Sequence, residues 1–223
     1  MTTIIPLKLS LSNVFLLRGE RPILIDAGSP NDLTALTHRL VQHGTRIEEI
    51  ALLIITHAHF DHAGCAAAIQ RIAGCPLAAH RLESDCLASG QNAPIIPVHP
   101  LGKMLMPFMG AGFPPVQADI VIDDALDLAD YGLQAQAIFT PGHTPGSLSV
   151  ITGGGQAIVG DLVGGGLLLG QFQPQRPRYH YWAANPKDVQ ASLKRVFSFQ
   201  PAKIYVGHGG PLDGQAARSF FAV

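Results

Sequence analysis

The sequence predicts an α/β fold, and three observations carry the prediction. Apolar runs of strand length recur along the chain, each ends in a short loop holding a histidine or aspartate, and segments with helical spacing of apolar residues lie between them. With 223 residues, 47% of them hydrophobic, the chain can bury a sizeable core, and a single domain over 1–223 is the default.

The elements follow in order. Strands are expected near residues 14–18 and 22–26. The first helix is punctuated by Ser29 as N-cap, Pro30 at the first helical position and Gly44 just past its end, with Leu33, Leu36, Leu40 and Val41 as its inward stripe. The run Ile50-Ala-Leu-Leu-Ile-Ile55 has the length and β-branched content of a buried strand, and residues 63–73 read as a helix stopped by Gly74. Further strand-like runs occupy 135–139, 156–160 and 203–207. A helix is expected over 186–197 with Val189, Leu193, Val196 and Phe197 inward, and a last one over 214–221. No internal repeat and no linker rich in Ser, Gly or charge divides the chain.

Composition narrows the function classes. A net charge of −1 offers no basic footprint, so a nucleic-acid partner is not expected. The first seventeen residues carry Pro6 and Lys8 and alternate like strands, unlike a signal peptide, and no run is long enough to span a bilayer. No membrane association and a cytoplasmic location are therefore expected. Cys65, Cys75 and Cys86 form no C-x-x-C pair, which suits free thiols in a reducing compartment better than a disulfide framework.

The chemistry concentrates in Thr56-His-Ala-His-Phe-Asp-His-Ala-Gly64, directly after the 50–55 run. In extended chain, side chains two apart point the same way, so His57, His59 and Asp61 can converge, with His62 following at once. Two imidazoles two residues apart can grip one ion such as zinc, leaving Asp61 and His62 for a second. His143 stands in Thr140-Pro-Gly-His-Thr-Pro-Gly-Ser147, where prolines and glycines make a tight turn; Asp161 follows the run 156–160 and His208 the run 203–207. A carboxylate has two oxygens and can link two cations, so Asp161 is the natural bridge. Asp26, in Ile25-Asp-Ala-Gly28, is assigned to scaffolding, and His38, His43, His80, His99 and His180 to surface or satisfied structural roles.

Taken together, H57-x-H59-x-D61-H62, P-G-H143-T-P-G, G-D161, G-H208-G and the early I-D-A-G resemble the metallo-β-lactamase superfamily over nearly the whole chain. The resemblance implies a four-layer αββα sandwich with metals at one rim between the sheets. It implies a first metal on His57, His59 and His143, a second on Asp61, His62 and His208, and Asp161 bridging. Two divalent ions are expected, zinc first, with iron or manganese as substitutes. Such a pair lowers the pKa of water to about 7 at a spacing of about 3.5 to 4 Å, making a hydroxide that Asp61 would orient toward a carbonyl carbon.

Asp161 and the P-G-H-T-P-G block look more like hydroxyacylglutathione hydrolases and acyl-homoserine lactone lactonases than true β-lactamases, which have Cys or Ser in place of the bridging aspartate. The implied function is a zinc-dependent hydrolase of an ester, lactone or thioester in a small molecule. The alternatives are a mononuclear iron sulfur dioxygenase of the same fold and a non-catalytic metal-binding scaffold. Lid insertions are expected near 89–116 and 164–182. The first carries Met104, Met106, Phe108, Met109 and Phe113, a surface for an acyl chain or for homodimerisation through 101–115. In the second, Tyr179-His-Tyr-Trp182 is expected to be an exposed cap.

Overall fold

The structure is a computed structural model that describes residues 2–108 and 112–223. In chain order the first half contains β1 (Thr3–Lys8), β2 (Asn13–Arg18), β3 (Ile23–Ile25), α1 (Leu33–Gln42), β4 (Leu52–Ile54), α2 (Phe60–Ala63), α3 (Ala66–Ala73), β5 (Leu77–His80), α4 (Ser84–Ser89), β6 (Ile96–Pro97), α5 (Pro100–Leu105) and β7 (Ile120–Ile122). The second contains β8 (Ala125–Asp127), β9 (Ala135–Phe139), β10 (Leu148–Thr152), β11 (Gln156–Ile158), β12 (Gly164–Leu167), β13 (Phe172–Arg178), β14 (Trp182–Ala183), α6 (Pro186–Ser198), β15 (Lys203–Tyr205), β16 (Leu212–Asp213) and α7 (Gly214–Phe221).

Two six-stranded sheets result, ordered β1-β2-β3-β4-β5-β7 and β16-β15-β11-β10-β9-β8. In the first, β1, β2 and β3 are antiparallel and β3, β4, β5 and β7 parallel; in the second only β11 and β15 are parallel. Strand alternation explains how the sheets stack. In β2, β3 and β4 the alternate residues Phe15, Leu17, Ile23, Ile25, Leu52 and Ile54 join one core, while Leu16, Leu24 and Leu53 between them join another. The first core also holds Ala137, Leu148, Val150 and Ile158 of the second sheet, so it lies between the sheets. The other faces are covered by α1 and α3 through Leu36, Leu40 and Ile69 on one side, and by α6 and α7 through Leu193, Val196, Ala217 and Phe221 on the other. Three apolar layers thus separate four layers of secondary structure, the αββα sandwich. The central strands β3 and β4 are buried on both faces because each face has a cover.

Several local expectations are corrected. Helix α1 starts at Leu33, not at Pro30, because the Asp32 carboxylate accepts the Ser29 N–H at 2.9 Å and the Ser10 hydroxyl at 2.9 Å, closing a turn ahead of the helix. Val41 is 55% exposed; one residue past Leu40, it lies about 100° round the helix from the buried stripe. The helix expected over 63–73 is broken into α2 and α3. Gly64 sits at the break, where a Cβ would lie 2.4 Å from Pro30 N and from Ser29 C. The segment 164–182 is largely a hairpin of β12 and β13, and 89–116 includes β6, α5 and a short 3-10 turn at Met106–Phe108. Within it Met104 is exposed and Phe113 is buried in the core beside α3; Met109 and the Phe108 side chain lie outside the described parts. Among the described residues, no helix is long and apolar enough to cross a membrane. The three cysteines are free, Cys65 and Cys75 buried and Cys86 half-buried, and burial raises their thiol pKa, to about 11 for Cys65.

Candidate metal centre

The ends of β4, β9, β11 and β15 converge on one rim of the sandwich, so the loops that follow them meet although they are 150 residues apart in sequence. All seven residues singled out from the sequence come together there. His57, His59 and His143 place one ring nitrogen each within a common cluster; Asp61, His62 and His208 form a second group and His57, His62 and Asp161 a third, the aspartates offering a carboxylate oxygen. Asp161 is the focus: its Oδ2 lies 3.2 Å from His208 Nε2, 3.4 Å from His62 Nε2, 3.8 Å from His143 Nε2 and 3.9 Å from His57 Nε2. His208 Nε2 is also 3.3 Å from Asp61 Oδ2.

Hydrogen bonds on the far side of each ring determine which nitrogen faces the cluster. Asp26 Oδ1 accepts the Thr56 N–H at 2.7 Å, and its Oδ2 accepts the Thr56 hydroxyl at 2.9 Å and His62 Nδ1 at 2.8 Å. With its one proton committed to Asp26, the Thr56 hydroxyl accepts from His57 Nδ1 at 3.0 Å. His143 Nδ1 donates to the Trp182 carbonyl at 3.1 Å and His208 Nδ1 to the Leu11 carbonyl at 3.0 Å. His59 is reversed: its Nε2 donates to the Ala93 carbonyl at 3.0 Å, so Nδ1 faces inward. In the neutral ring every inward nitrogen is thereby left with a lone pair. Asp26 has the scaffolding role expected of it, with φ of 65° at the strand end.

This donor set fits a cation. The inward nitrogens His143 Nε2 and His59 Nδ1 point at each other across 3.2 Å, lone pair to lone pair. Among the described residues, the buried His57 Nε2, His62 Nε2 and Asp161 Oδ1 have no hydrogen-bond partner. Leaving such groups buried and unmet costs about 1–3 kcal/mol each, more if charged, and divalent ions relieve that cost. Gly207 keeps the cradle open: a Cβ there would lie 2.1 Å from Asp161 Oδ1 and 2.7 Å from His62 Cε1.

The titration directions divide the cluster. Burial, together with neighbouring imidazoles, holds His57 and His143 well below the ordinary range, and burial brings His59 down to about 4. Burial also opposes protonation of His62 and His208, but Asp161 and Asp61 outweigh it, raising His208 to about 10 and His62 well above the usual value. The reciprocal effect keeps Asp61 and Asp161 well below the carboxylate range against the opposing pull of burial.

Two residues escaped the sequence reading. His180, expected to be surface or structural, is half-buried and turns its ring into the cluster, with Nε2 3.4 Å from Asp161 Oδ2. The expected cap is likewise corrected: Tyr181 and Trp182 are buried and only Tyr179 is exposed, because Trp182 Nε1 donates to the Gly102 carbonyl at 3.0 Å and β14 pairs with β6. Glu83, 0% exposed, accepts the Ala58 N–H at 2.7 Å, the Thr144 hydroxyl at 2.8 Å and the Gly146 N–H at 2.7 Å. It joins the loop between His57 and His59 to the loop carrying His143. No spacing signal marks either residue. The remaining histidines stay outside the cluster: His80 donates to the Asp123 carbonyl and stacks on Phe139 at 4.1 Å, and His99 accepts the Leu101 N–H.

Above the donors lies a cavity of about 160 Å³ with Leu11, Phe60, Leu105, Leu169 and Trp182 in its walls. Buried imidazoles and carboxylates under an apolar mouth, at the rim of an αββα sandwich, define a metallo-hydrolase architecture. The model of the metallo-beta-lactamase superfamily matches residues 7–208, and the chain belongs to that superfamily. Among curated relatives, a protein named probable metallo-hydrolase from Methanocaldococcus jannaschii is 33% identical over 141 residues, covering 63% of this chain and 62% of that protein. Another of that name from Bacillus subtilis is 26% identical over 215 residues, covering 88% and 78%. Of solved structures, TTHA1623 in a di-iron-bound form superposes with a TM-score of 0.67 at 27% identity, covering 95% of this chain and 96% of that one. The subclass B3 metallo-β-lactamase BJP-1 of Bradyrhizobium japonicum shares the fold, with a TM-score of 0.66 at 22% identity over 93% and 75%. The family and the His/Asp clusters imply divalent metal ions.

Proposed function

We propose that this chain is a dinuclear metal-dependent hydrolase acting on the carbonyl of a carboxylic ester, lactone or thioester, in the branch that includes hydroxyacylglutathione hydrolases and acyl-homoserine lactonases. The observation that carries the reading is the pair of donor trios, His57/His59/His143 and Asp61/His62/His208, with Asp161 reaching both. Each trio would hold one ion and Asp161 would bridge them. When bound, such a pair of cations supplies Lewis acidity, lowering the pKa of water to about 7 and polarising a carbonyl oxygen.

The chain's own residues do the rest. Asp61 stays ionised and accepts a hydrogen bond from the attacking water, fixing its direction. Leu105, Leu169, Phe60 and Trp182 exclude bulk solvent and pack the acyl portion of a small molecule. No serine or cysteine nucleophile is needed, and the raised thiol of Cys65 is unsuited to that role. Zinc suits imidazole-rich donors, and the di-iron form of TTHA1623 favours iron as the second reading.

The test is metal analysis together with a panel of a thioester, a lactone and a β-lactam assayed on metal-reconstituted protein. About two ions per chain with turnover of the thioester or lactone is the expected result. A single ion, or inactivity on all three substrates, would overturn it. Sedimentation of the same sample tests association through 101–115, where Met104 is 63% exposed.

A further inference from the structure

His180 reaches the cluster from the loop between β13 and β14, and its surroundings match those of the histidines around it. Its Nδ1 donates to the Trp182 carbonyl at 3.3 Å, the same carbonyl that takes His143 Nδ1 at 3.1 Å. One oxygen therefore pins two imidazoles, whose ring centroids are 4.6 Å apart and whose planes meet at 90°. Both rings then present Nε2 to Asp161 Oδ2, at 3.8 Å and 3.4 Å. With its proton on Nδ1, His180 Nε2 carries a lone pair, buried, facing a carboxylate, and without a hydrogen-bond partner among the described residues. Lone pair against carboxylate is repulsive, and a cation between them turns the contact attractive.

We propose that His180 is an additional metal donor of this centre, completing a third donor group with His143 and Asp161. The inference rests on the two-ion reading above but can fail independently of it. The donor stands beside the cavity wall, so it also sets how much of the metal coordination remains open to a substrate.

The experiment uses the full chain loaded with Co(II), an ion that shifts the exchangeable ring N–H protons of coordinated histidines far from the diamagnetic envelope in proton NMR. Each inward histidine keeps its other ring proton on a protein oxygen, so six shifted signals are expected in the wild type: five from His57, His59, His62, His143 and His208, and one from His180. His180→Ala should show five, with Co(II) affinity in chelator competition weakened by about tenfold or more. His180→Asn supplies the same count should the alanine variant fold poorly. Five signals in the wild type, or an unchanged count and affinity in both variants, would overturn the proposal. One bound ion that still shifts the His180 signal would sink the two-ion reading and leave this one standing.

Discussion

The trio His57, His59 and His143 and the trio Asp61, His62 and His208 lie side by side at one rim, yet their electrostatics are opposite. The first holds imidazoles alone, packed edge to face with centroids 4.6 to 5.0 Å apart, and burial strips them of protons. The second includes a carboxylate and lies closest to Asp161, so its imidazoles hold protons more tightly than usual when no metal competes, His208 up to about 10. The lesson is that one site is ready to accept a cation and the other must release protons to do so. Their supports differ likewise: Glu83 clamps the loops of the first through backbone N–H groups, while Asp26 grips His62 directly.

Breaking the element common to both trios should have the largest effect. Asp161→Ala is expected to lose one ion and at least about a hundredfold in turnover, with the far-UV circular dichroism unchanged. Metal content remaining near two per chain would show that each trio holds its ion without the shared carboxylate. Glu83→Ala sharpens the comparison by striking the first trio alone. It strands the Ala58, Thr144 and Gly146 donors, so chemical denaturation should show a loss of roughly 3 kcal/mol or more, and metal titration should show the first ion weakened before the second. Glu83→Gln, which can still accept hydrogen bonds, should recover part of both.

The opposite titration of the trios predicts two limbs in the stability of metal-free protein. His59 folds at about 4 against 6.5 unfolded, so the unfolded chain binds more protons between those values and stability falls as pH drops from 6.5 toward 4. His208 folds at about 10, so its contribution is complete below 6.5 and disappears as pH rises toward 10. Thermal melts across pH in chelator should flatten on the acid limb for His59→Ala and on the alkaline limb for His208→Ala; the same limb flattening in both would erase the contrast. The smallest effect is expected at His80, outside both trios. His80→Ala should leave metal content unchanged and cost about 1–2 kcal/mol from its Asp123 hydrogen bond and Phe139 stacking.

Much of the fold was legible because strand alternation is a local signal. The bounds of α7 and nearly those of α6 follow from caps and spacing: Asn185 and Asp213 accept from Lys187 N and Ala216 N. The start of α1 was misread because Ser29 and Pro30 mimic a helix entry, while Ser10, distant in sequence, helps close the turn through Asp32. That seven His and Asp side chains would gather was legible because they sit in loops that follow apolar runs. His180 was not, since its run of aromatic neighbours resembles a surface cap until β14 pairs with β6 and draws Trp182 inward. Glu83 reads as an ordinary acid at a helix start; only the arrival of Thr144 and Gly146 makes it buried.

The amino-acid order alone determined the kinds of donor, their place at strand ends and the two-faced apolar strands that demand covers on both sides, because these depend on neighbours a few residues apart. Tertiary structure decided which ring nitrogen turns inward, which trio sheds its protons, and that His180 and Glu83 belong to the site. Those outcomes depend on carbonyls and carboxylates brought from distant segments into a space where burial and charge compete.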